Sequence, residues 1–320
     1  MKTLFKNYVL IAFLSLGLVA CSNDDEGDVM EATNTIADFV ENNPDYSSLN
    51  AALIAADLKA TFAGSTEFTV FAPNNAAFNT FLSENGFANL AAVPKEVLTQ
   101  VLLNHVQEGV IMSSALSTGY IESMSTAGPD GENLSMYINT TGGVTINGVA
   151  SVTTPNVEVD NGVIHAVDAV IGLPDIVTFA TADPTFETLV DALTREEEFD
   201  FVDILMTQGS PAPFTVFAPT NAAFQSLLND LEMSSLNDIP TDVLAAALSY
   251  HVVTGANVRS SDITNNMMVT TFEGGSFTIT TTGGVKITDE NGRVTNVVAV
   301  DVQATNGVIH VIDKVLLPEM

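Results

Sequence analysis

The stretch Phe214-Thr-Val-Phe-Ala-Pro-Thr-Asn-Ala-Ala-Phe224 decides the fold, because it occurs twice in the chain. Its earlier copy, Phe68-Thr-Val-Phe-Ala-Pro-Asn-Asn-Ala-Ala-Phe78, differs only in having Asn74 in place of Thr220. Residues on both sides of the block also recur in the same order. Duplication on this scale predicts that the chain consists of two copies of one structural unit.

Within each block the residue types predict a strand, a stop and a helix. Phe-Thr-Val-Phe alternates bulky and β-branched side chains, which is typical of a half-buried strand. Pro73 and Pro219 end the strand, because proline has no N–H to donate to a neighbouring strand. Asn74 and Thr220 are both favourable N-cap residues, so each predicts a helix that begins at the next residue.

The regions around each block predict further helices. Apolar residues between positions 46 and 58 have helical spacing, with Leu49 and Leu53 on one face. Pro94 and Pro240 each predict the start of another helix, with proline early in its first turn. The helical elements therefore fall mainly in the first part of each copy.

The last third of each copy is predicted to be rich in strands. Asn147-Gly148 and Asn291-Gly292 each follow a Thr-Thr-Gly-Gly-Val segment and predict a β-hairpin. Helices followed mostly by strands, without regular alternation, predict an α+β fold with a largely antiparallel sheet. The repeat boundaries predict one domain over residues 33–174 and a second over residues 175–320.

The composition limits the partners of the protein. The chain has 39 Asp and Glu residues against 9 Lys and Arg residues, and its formal net charge is −30 at pH 7. Such a surface repels nucleic-acid phosphates and anionic lipid headgroups, so nucleic-acid binding is excluded. With 46% hydrophobic residues, the chain is typical of a globular protein, and we interpret the charge as a source of solubility outside the cell.

The N-terminus has the pattern of a secretory signal peptide, predicted over residues 1–20. Two lysines precede an apolar run, residues 8–20, which is too short to span a bilayer. The run ends in Leu18-Val-Ala-Cys21, which contains the single cysteine of the chain. This segment resembles the lipobox of bacterial lipoproteins, in which the cysteine is lipidated and becomes the mature N-terminus. The resemblance implies a lipid anchor at Cys21, where several acyl chains would give stable membrane attachment.

Residues 21–32 are predicted to be an acidic tether after the lipidated cysteine. The segment begins Cys-Ser-Asn-Asp-Asp-Glu, which is similar to the export signals of surface-exposed lipoproteins in some Gram-negative bacteria. The similarity implies an outer-membrane lipoprotein that faces the cell exterior, with the periplasmic face as the alternative.

Three motifs together resemble the fasciclin (FAS1) domain. They are the duplicated block, the Tyr250-His251 pair before a valine, and the closing Asn306-Gly-Val-Ile-His-Val-Ile-Asp segment. Both copies match in order and spacing, although Asn104 replaces the tyrosine in the first copy. The resemblance implies two tandem domains, each a β-sandwich wedge with a helical layer. It also implies adhesion to cells, matrix proteins or glycans without catalysis or a cofactor.

The resemblance suggests one candidate partner contact. Animal relatives use an Asp-Ile pair just before the closing strand to engage integrins, and Asp301-Val302 stands at that place here. The first copy has Glu158-Val159 nearby. Asp301 is therefore a candidate partner contact, although integrin binding does not follow for a bacterial lipoprotein.

The histidines invite a catalytic or metal hypothesis. All four lie at repeat-equivalent positions, paired as His105 with His251 and His165 with His310. A zinc site needs three or four convergent ligands. Asp168 and Asp313 follow the second histidines by three positions, which places them on the opposite face of a strand. We therefore interpret all four histidines and Tyr250 as structural family motifs, the imidazoles satisfying buried backbone groups, and predict no catalytic or metal-binding residue.

Three hypotheses for the function follow. The first is an adhesion or interaction protein that binds an extracellular protein or glycan. The second is a glycan-binding accessory lipoprotein of a surface nutrient-uptake system. The third, a hydrolase that uses histidine and aspartate, has little support, because the single cysteine lies in the lipobox-like segment and the chain lacks a Gly-x-Ser-x-Gly elbow. The chain also has no phosphate-binding loop. The acidic loops do not follow the EF-hand pattern, which leaves calcium binding with little support from the sequence.

Overall fold

The computed structural model describes residues 34–319. The predicted signal peptide, the lipidation site Cys21 and the acidic tether lie outside these residues. Within the described part of the chain, no helix is both long enough and apolar enough to cross a membrane.

The first domain begins with helices and ends with strands. Its elements are α1 (Ile36–Asn42), α2 (Ser47–Ala55), α3 (Lys59–Phe62), β1 (Phe68–Pro73), α4 (Asn75–Glu84), α5 (Lys95–Leu103), β2 (Val106–Glu108), β3 (Gly119–Glu122), β4 (Ser135–Asn139), β5 (Thr145–Ile146), β6 (Ala150–Val159) and β7 (Gly162–Val167).

The second domain repeats this order element by element. Its elements are α6 (Ile176–Ala182), α7 (Glu187–Leu193), α8 (Phe201–Leu205), β8 (Phe214–Pro219), α9 (Asn221–Asp230), α10 (Thr241–Tyr250), β9 (Val252–Thr254), β10 (Met267–Thr270), β11 (Ser276–Thr280), β12 (Lys286–Thr288), β13 (Val294–Ala304) and β14 (Gly307–Ile312).

The strands of each domain form a seven-stranded sheet. The order is β2-β1-β7-β6-β5-β4-β3 in the first domain and β9-β8-β14-β13-β12-β11-β10 in the second. The long strands β6 and β13 join the two halves of their sheets, and each contains register shifts where it pairs with the closing strand. Such bulges bend a strand and increase its twist. The predicted α+β fold with a largely antiparallel sheet is confirmed.

One pairing in each sheet is parallel, which the sequence did not predict. Strand β1 runs parallel to β7, and β8 runs parallel to β14. Residue alternation identifies a strand, but it does not show which strand lies beside it or in which direction that strand runs. Both neighbours of β1 come from later in the chain, so the local sequence gives no sign of them.

The duplicated block forms the predicted strand and capped helix, but the expectation of a half-buried strand was wrong, because both faces of the strand are covered. Strand β1 is buried along its whole length, with Phe68 and Val70 against the helices and Phe71 against the other half of the sheet. The Asn74 Oδ1 accepts from the Ala77 N–H at 2.9 Å, and the Thr220 Oγ1 accepts from the Ala223 N–H at 3.3 Å. Asn74 and Thr220 therefore cap their helices in the same way.

Two local predictions have different outcomes. The hairpin at Asn147-Gly148 is confirmed, since both residues have positive φ, 51° and 68°, between β5 and β6. Asn291-Gly292 likewise connects β12 to β13. The position of Pro94 and Pro240 in the first helical turn was wrong: both are N-cap residues, with ψ of 136° and 140°, and the helices begin after them. A proline in this extended conformation lies outside the helix it precedes.

The two domains contact each other directly. The Tyr120 hydroxyl in β3 donates to the Asp183 carboxylate at 3.0 Å, and the Tyr120 ring lies edge-on to Phe179 with centroids 5.6 Å apart. The Gln303 N–H donates to the Ser135 hydroxyl at 2.9 Å in a buried position. Burial and the nearby Asp183 carboxylate raise the pKa of Tyr120, so its hydroxyl keeps the proton that it donates.

Candidate partner-binding site

Strand β13 of the second domain exposes apolar side chains at its bulge. Its register with β14 shifts on both sides of Ala299, so Val298 and Val300 lie outside the regular ladder. Val298 is 59% exposed and Val300 is 41% exposed, and Ala299 between them is exposed as well. We call Val298–Val300 the exposed bulge. Adjacent exposed apolar residues on a strand are a feature of interaction surfaces.

Asp301 lies at the end of the exposed bulge, and its carboxylate is engaged within the domain. One oxygen accepts from the Ser260 N–H at 2.8 Å, and the other accepts from the Ser260 hydroxyl. The Arg259 Nε lies 4.0 Å from the same carboxylate. Asp301 has a φ of 60°, which aspartate tolerates better than most residues. The predicted contact residue therefore fixes the shape of the bulge against the segment that contains Arg259 and Ser260.

The first domain builds the same bulge with different side chains. Asn156 has the same φ of 60° and bonds Ser113 through both ends of its amide, at 2.8 and 2.9 Å. The structural counterpart of Asp301 is therefore Asn156, two positions before the Glu158 singled out in the sequence. The residues before Asn156 are Thr153, Thr154 and Pro155, so the exposed apolar stretch belongs to the second domain.

His105 and His251 occupy identical environments at the ends of α5 and α10. The Nδ1 of His251 lies 2.6 Å from the Ala247 carbonyl oxygen, and its Nε2 accepts from the Leu316 N–H at 2.9 Å. His105 makes the equivalent bonds, at 2.7 and 2.8 Å. Because a carbonyl oxygen only accepts, Nδ1 carries the proton in both rings. Burial lowers the pKa of each histidine to about 4, so both are neutral at pH 7.

His165 and His310 lie on the closing strands, near the bulges. The Nε2 of His165 donates to the Ile111 carbonyl at 2.9 Å, and its Nδ1 accepts from the Asn156 N–H at 3.2 Å. The Nε2 of His310 lies 2.8 Å from the Val258 carbonyl. Burial lowers the pKa of both rings. His165 therefore joins a connecting segment to the bulged strand β6, and His310 bonds the equivalent connecting segment of the second domain. The sequence did not reveal these contacts, because the partners are remote in the chain.

The remaining candidate ligands do not converge on the histidines. The Asp168 carboxylate accepts from the Ser151 N–H at 2.7 Å, and the Asp313 carboxylate accepts from the Asn296 N–H at 2.8 Å. Each therefore braces the neighbouring long strand. Among residues 34–319, no group of three or more His, Cys, Asp or Glu side chains is placed to hold a metal ion.

The structure and the site together define a pair of equivalent α+β domains with a bulged-strand surface on the second. The model of the Fasciclin domain matches residues 44–174 and 184–318, so the chain belongs to the fasciclin domain family. The fold and family predicted from the sequence are thereby confirmed.

Known proteins resemble the chain over one or both domains. Human periostin is 30% identical over 278 residues, which cover 83% of this chain and 30% of periostin. The Synechocystis protein sll1735 is 39% identical over 145 residues, or 45% of this chain and 98% of that protein. The solved FAS1 domain pair of the insect cell adhesion molecule fasciclin I matches with a TM-score of 0.50 at 22% identity, covering 85% of this chain and 95% of that one. This last likeness concerns the fold alone.

Proposed function

We propose that the protein is a cell-surface adhesion or interaction protein that binds an extracellular protein through the exposed bulge of its second domain. The observation that carries the proposal is the exposure of Val298 and Val300 beside a carboxylate that is held internally. A surface that is apolar at its centre and already shaped by internal bonds loses little conformational freedom on binding.

A protein partner fits the exposed bulge better than a glycan does. Sugar recognition commonly uses aromatic side chains with a free face, and the chain has no tryptophan. Of its tyrosines, Tyr137 and Tyr250 are buried and Tyr120 contacts the second domain. The glycan-binding accessory function is therefore the alternative outcome of the test. The hydrolase hypothesis gains no support, because each histidine bonds backbone groups.

The binding proposal can be tested with soluble protein on arrays of extracellular proteins and glycans. The variant Val298→Thr with Val300→Thr gives this strand the polar character of the first domain, and we expect its binding to protein targets to fall at least tenfold. Val149→Thr is the matched control, since Val149 is equally exposed on the first domain. Retained binding by the double variant, or binding to glycans alone, would contradict the proposal.

The proposal includes display of both domains by a lipid anchor at Cys21. Support comes from the lipobox-like Leu18-Val-Ala-Cys21 segment and the acidic residues after it. Cys21→Ser should move the protein from the outer-membrane fraction to the soluble fraction. Continued incorporation of labelled fatty acid into the variant would exclude the anchor at this residue. Surface display is tested separately, by protease treatment of intact cells.

A further inference from the structure

The second domain contains an apolar cavity that has almost no counterpart in the first. It has a volume of about 140 Å³ and lies among α6, α7 and α8 on one side and β8 and β14 on the other. Its lining includes Ile176, Leu189, Val216 and Ile309. At the equivalent place in the first domain, the space measures about 20 Å³. Two copies of one fold therefore differ in how completely this region is filled.

Two positions that line the cavity carry smaller residues than their counterparts in the first domain. Ala180 in α6 stands where α1 has Val40, and Leu205 in α8 stands where α3 has Phe62. The second equivalence is structural: the Asn306 side chain donates to the Leu205 carbonyl, as the Asn161 side chain does to the Phe62 carbonyl. All four apolar residues line the respective spaces. Loss of side-chain volume that the surroundings do not refill leaves a cavity.

Three residues that line the cavity are more exposed than their counterparts in the first domain. Val177, Ala180 and Leu193 line the cavity and are each partly exposed. Their counterparts in the first domain are fully buried, namely Ala37, Val40 and Leu53. The cavity therefore lies close to the surface at α6 and α7, and we infer that a ligand enters there.

The polar side chains of the lining offer no free hydrogen-bond donor. The hydroxyls of Thr181 and Thr194 donate to carbonyl oxygens of their own helices, at 2.9 and 2.8 Å. His251 reaches the cavity with both ring nitrogens already bonded to backbone groups. A polar occupant would lose its water without gaining partners, which is costly. The chemistry of the walls therefore selects an apolar occupant.

We propose that this cavity is a binding site for a small apolar group, either a single aromatic ring or the end of an alkyl chain. In another protein, an engineered apolar cavity of about 150 Å³ stays dry and binds benzene or xenon. The cavity of the second domain matches that volume and the apolar character of its walls. The site is separate from the exposed bulge, so the proposal is independent of the proposed function.

The test uses benzene and octanoate as probes of the purified protein, with methyl NMR as the readout. We expect benzene to shift the signals of Ala180 and Leu205 in a saturable manner. The variant Ala180→Val with Leu205→Phe copies the first domain, and its benzene affinity should fall at least tenfold while its remaining spectrum stays that of a folded protein. Octanoate that shifts the same signals identifies an alkyl chain as an accepted ligand. Benzene alone identifies an aromatic ring.

A second measurement covers the case in which the filled variant does not fold. Crystals of the unmodified protein under xenon pressure should show xenon between α6 and α7, with little or none in the first domain. The reciprocal variant Val40→Ala with Phe62→Leu should gain a xenon site there. Absence of both xenon and benzene from the cavity of the second domain would overturn the proposal, as would unchanged benzene affinity in a folded Ala180→Val, Leu205→Phe variant.

Discussion

The two domains have one fold but use the same sheet edge differently. Tyr120 is the second residue of β3, and Met268 is the second residue of the equivalent strand β10. Tyr120 contacts Phe179 and bonds Asp183 across the domain boundary, whereas Met268 is 74% exposed. A position that joins the domains in one copy is a free surface in the other. We therefore look for domain-specific roles at the positions where the two copies differ.

The residues that the two copies share, by contrast, stabilise the fold. His105 and His251 make the same hydrogen bonds, and in each case Nδ1 bonds the carbonyl oxygen of the residue four positions earlier. The exposed bulge, the cavity and the interface are all places where side chains differ. The predictions below test whether shared positions control stability and differing positions control recognition.

The largest expected effect is on the shared histidines. His251→Ala leaves the buried Leu316 N–H without its acceptor and opens a cavity in the core. We expect a loss of about 4 kcal/mol in the free energy of unfolding, from the unpaired donor and the lost packing. His105→Ala should cost a similar amount, because its bonds are the same. Urea denaturation measures both. Unchanged stability accompanied by loss of an enzymatic activity or a bound metal would show that the histidines are functional.

The same histidines predict a pH dependence of stability. In the unfolded chain a histidine has a pKa of about 6.5, whereas burial lowers the pKa of His105 and His251 to about 4. Between these values the unfolded state binds more protons, so stability is complete above pH 6.5 and falls as the pH drops towards 4. The loss approaches about 3 kcal/mol for each histidine.

The check is an NMR titration of both imidazoles together with urea midpoints from pH 7 to pH 4. A His251→Gln variant is the control, since it removes one titrating ring and should flatten the stability curve in this window. Imidazole signals that titrate near pH 6.5 in the folded protein would contradict the predicted environment.

We expect an intermediate loss of stability when Tyr120 is changed at the interface between the domains, and almost none when Met268 is changed at the equivalent position of the second domain. Tyr120→Phe removes a hydrogen bond to the buried carboxylate of Asp183, and we expect a loss of about 2 kcal/mol. Met268→Ala is the matched control and should change stability by less than about 0.5 kcal/mol, because Met268 is exposed. Calorimetry of both variants makes the comparison. Equal effects would mean that the interface does not stabilise the pair.

Sequence reasoning succeeded where local chemistry decides the structure. The strand at Phe68, the cap at Asn74 and the turn at Asn147 each depend on neighbours in the chain, so the residue types suffice to predict them. It failed where remote residues meet. The parallel pairing of β1 with β7 and the bond from Tyr120 to Asp183 join segments that no periodicity connects.

The candidate site, too, could be predicted only in part from the sequence. The sequence identified Asp301 and suggested Glu158 as the nearby residue of the first copy. That suggestion rested on the type of side chain alone, because the backbone conformation is not visible in the sequence. The positive φ shared by Asp301 and Asn156 shows the true equivalence. The cavity was missed for a related reason: it depends on the volumes of Ala180 and Leu205, which have meaning only once their neighbours are known.

The smallest expected effect comes from Asp301 and sharpens the comparison of the two bulges. Asn156 holds Ser113 as Asp301 holds Ser260, so Asp301→Asn should keep the bulge and cost less than about 1 kcal/mol. If the exposed valines make the contact, binding of the protein partner should change less than about threefold, which corresponds to about 0.6 kcal/mol. Asp301→Ala removes the bonds to Ser260 and should weaken binding more than Asp301→Asn does. Loss of binding in a stable Asp301→Asn variant would instead assign the contact to the carboxylate, in which case the partner carries a positive charge or hydrogen-bond donors at that point.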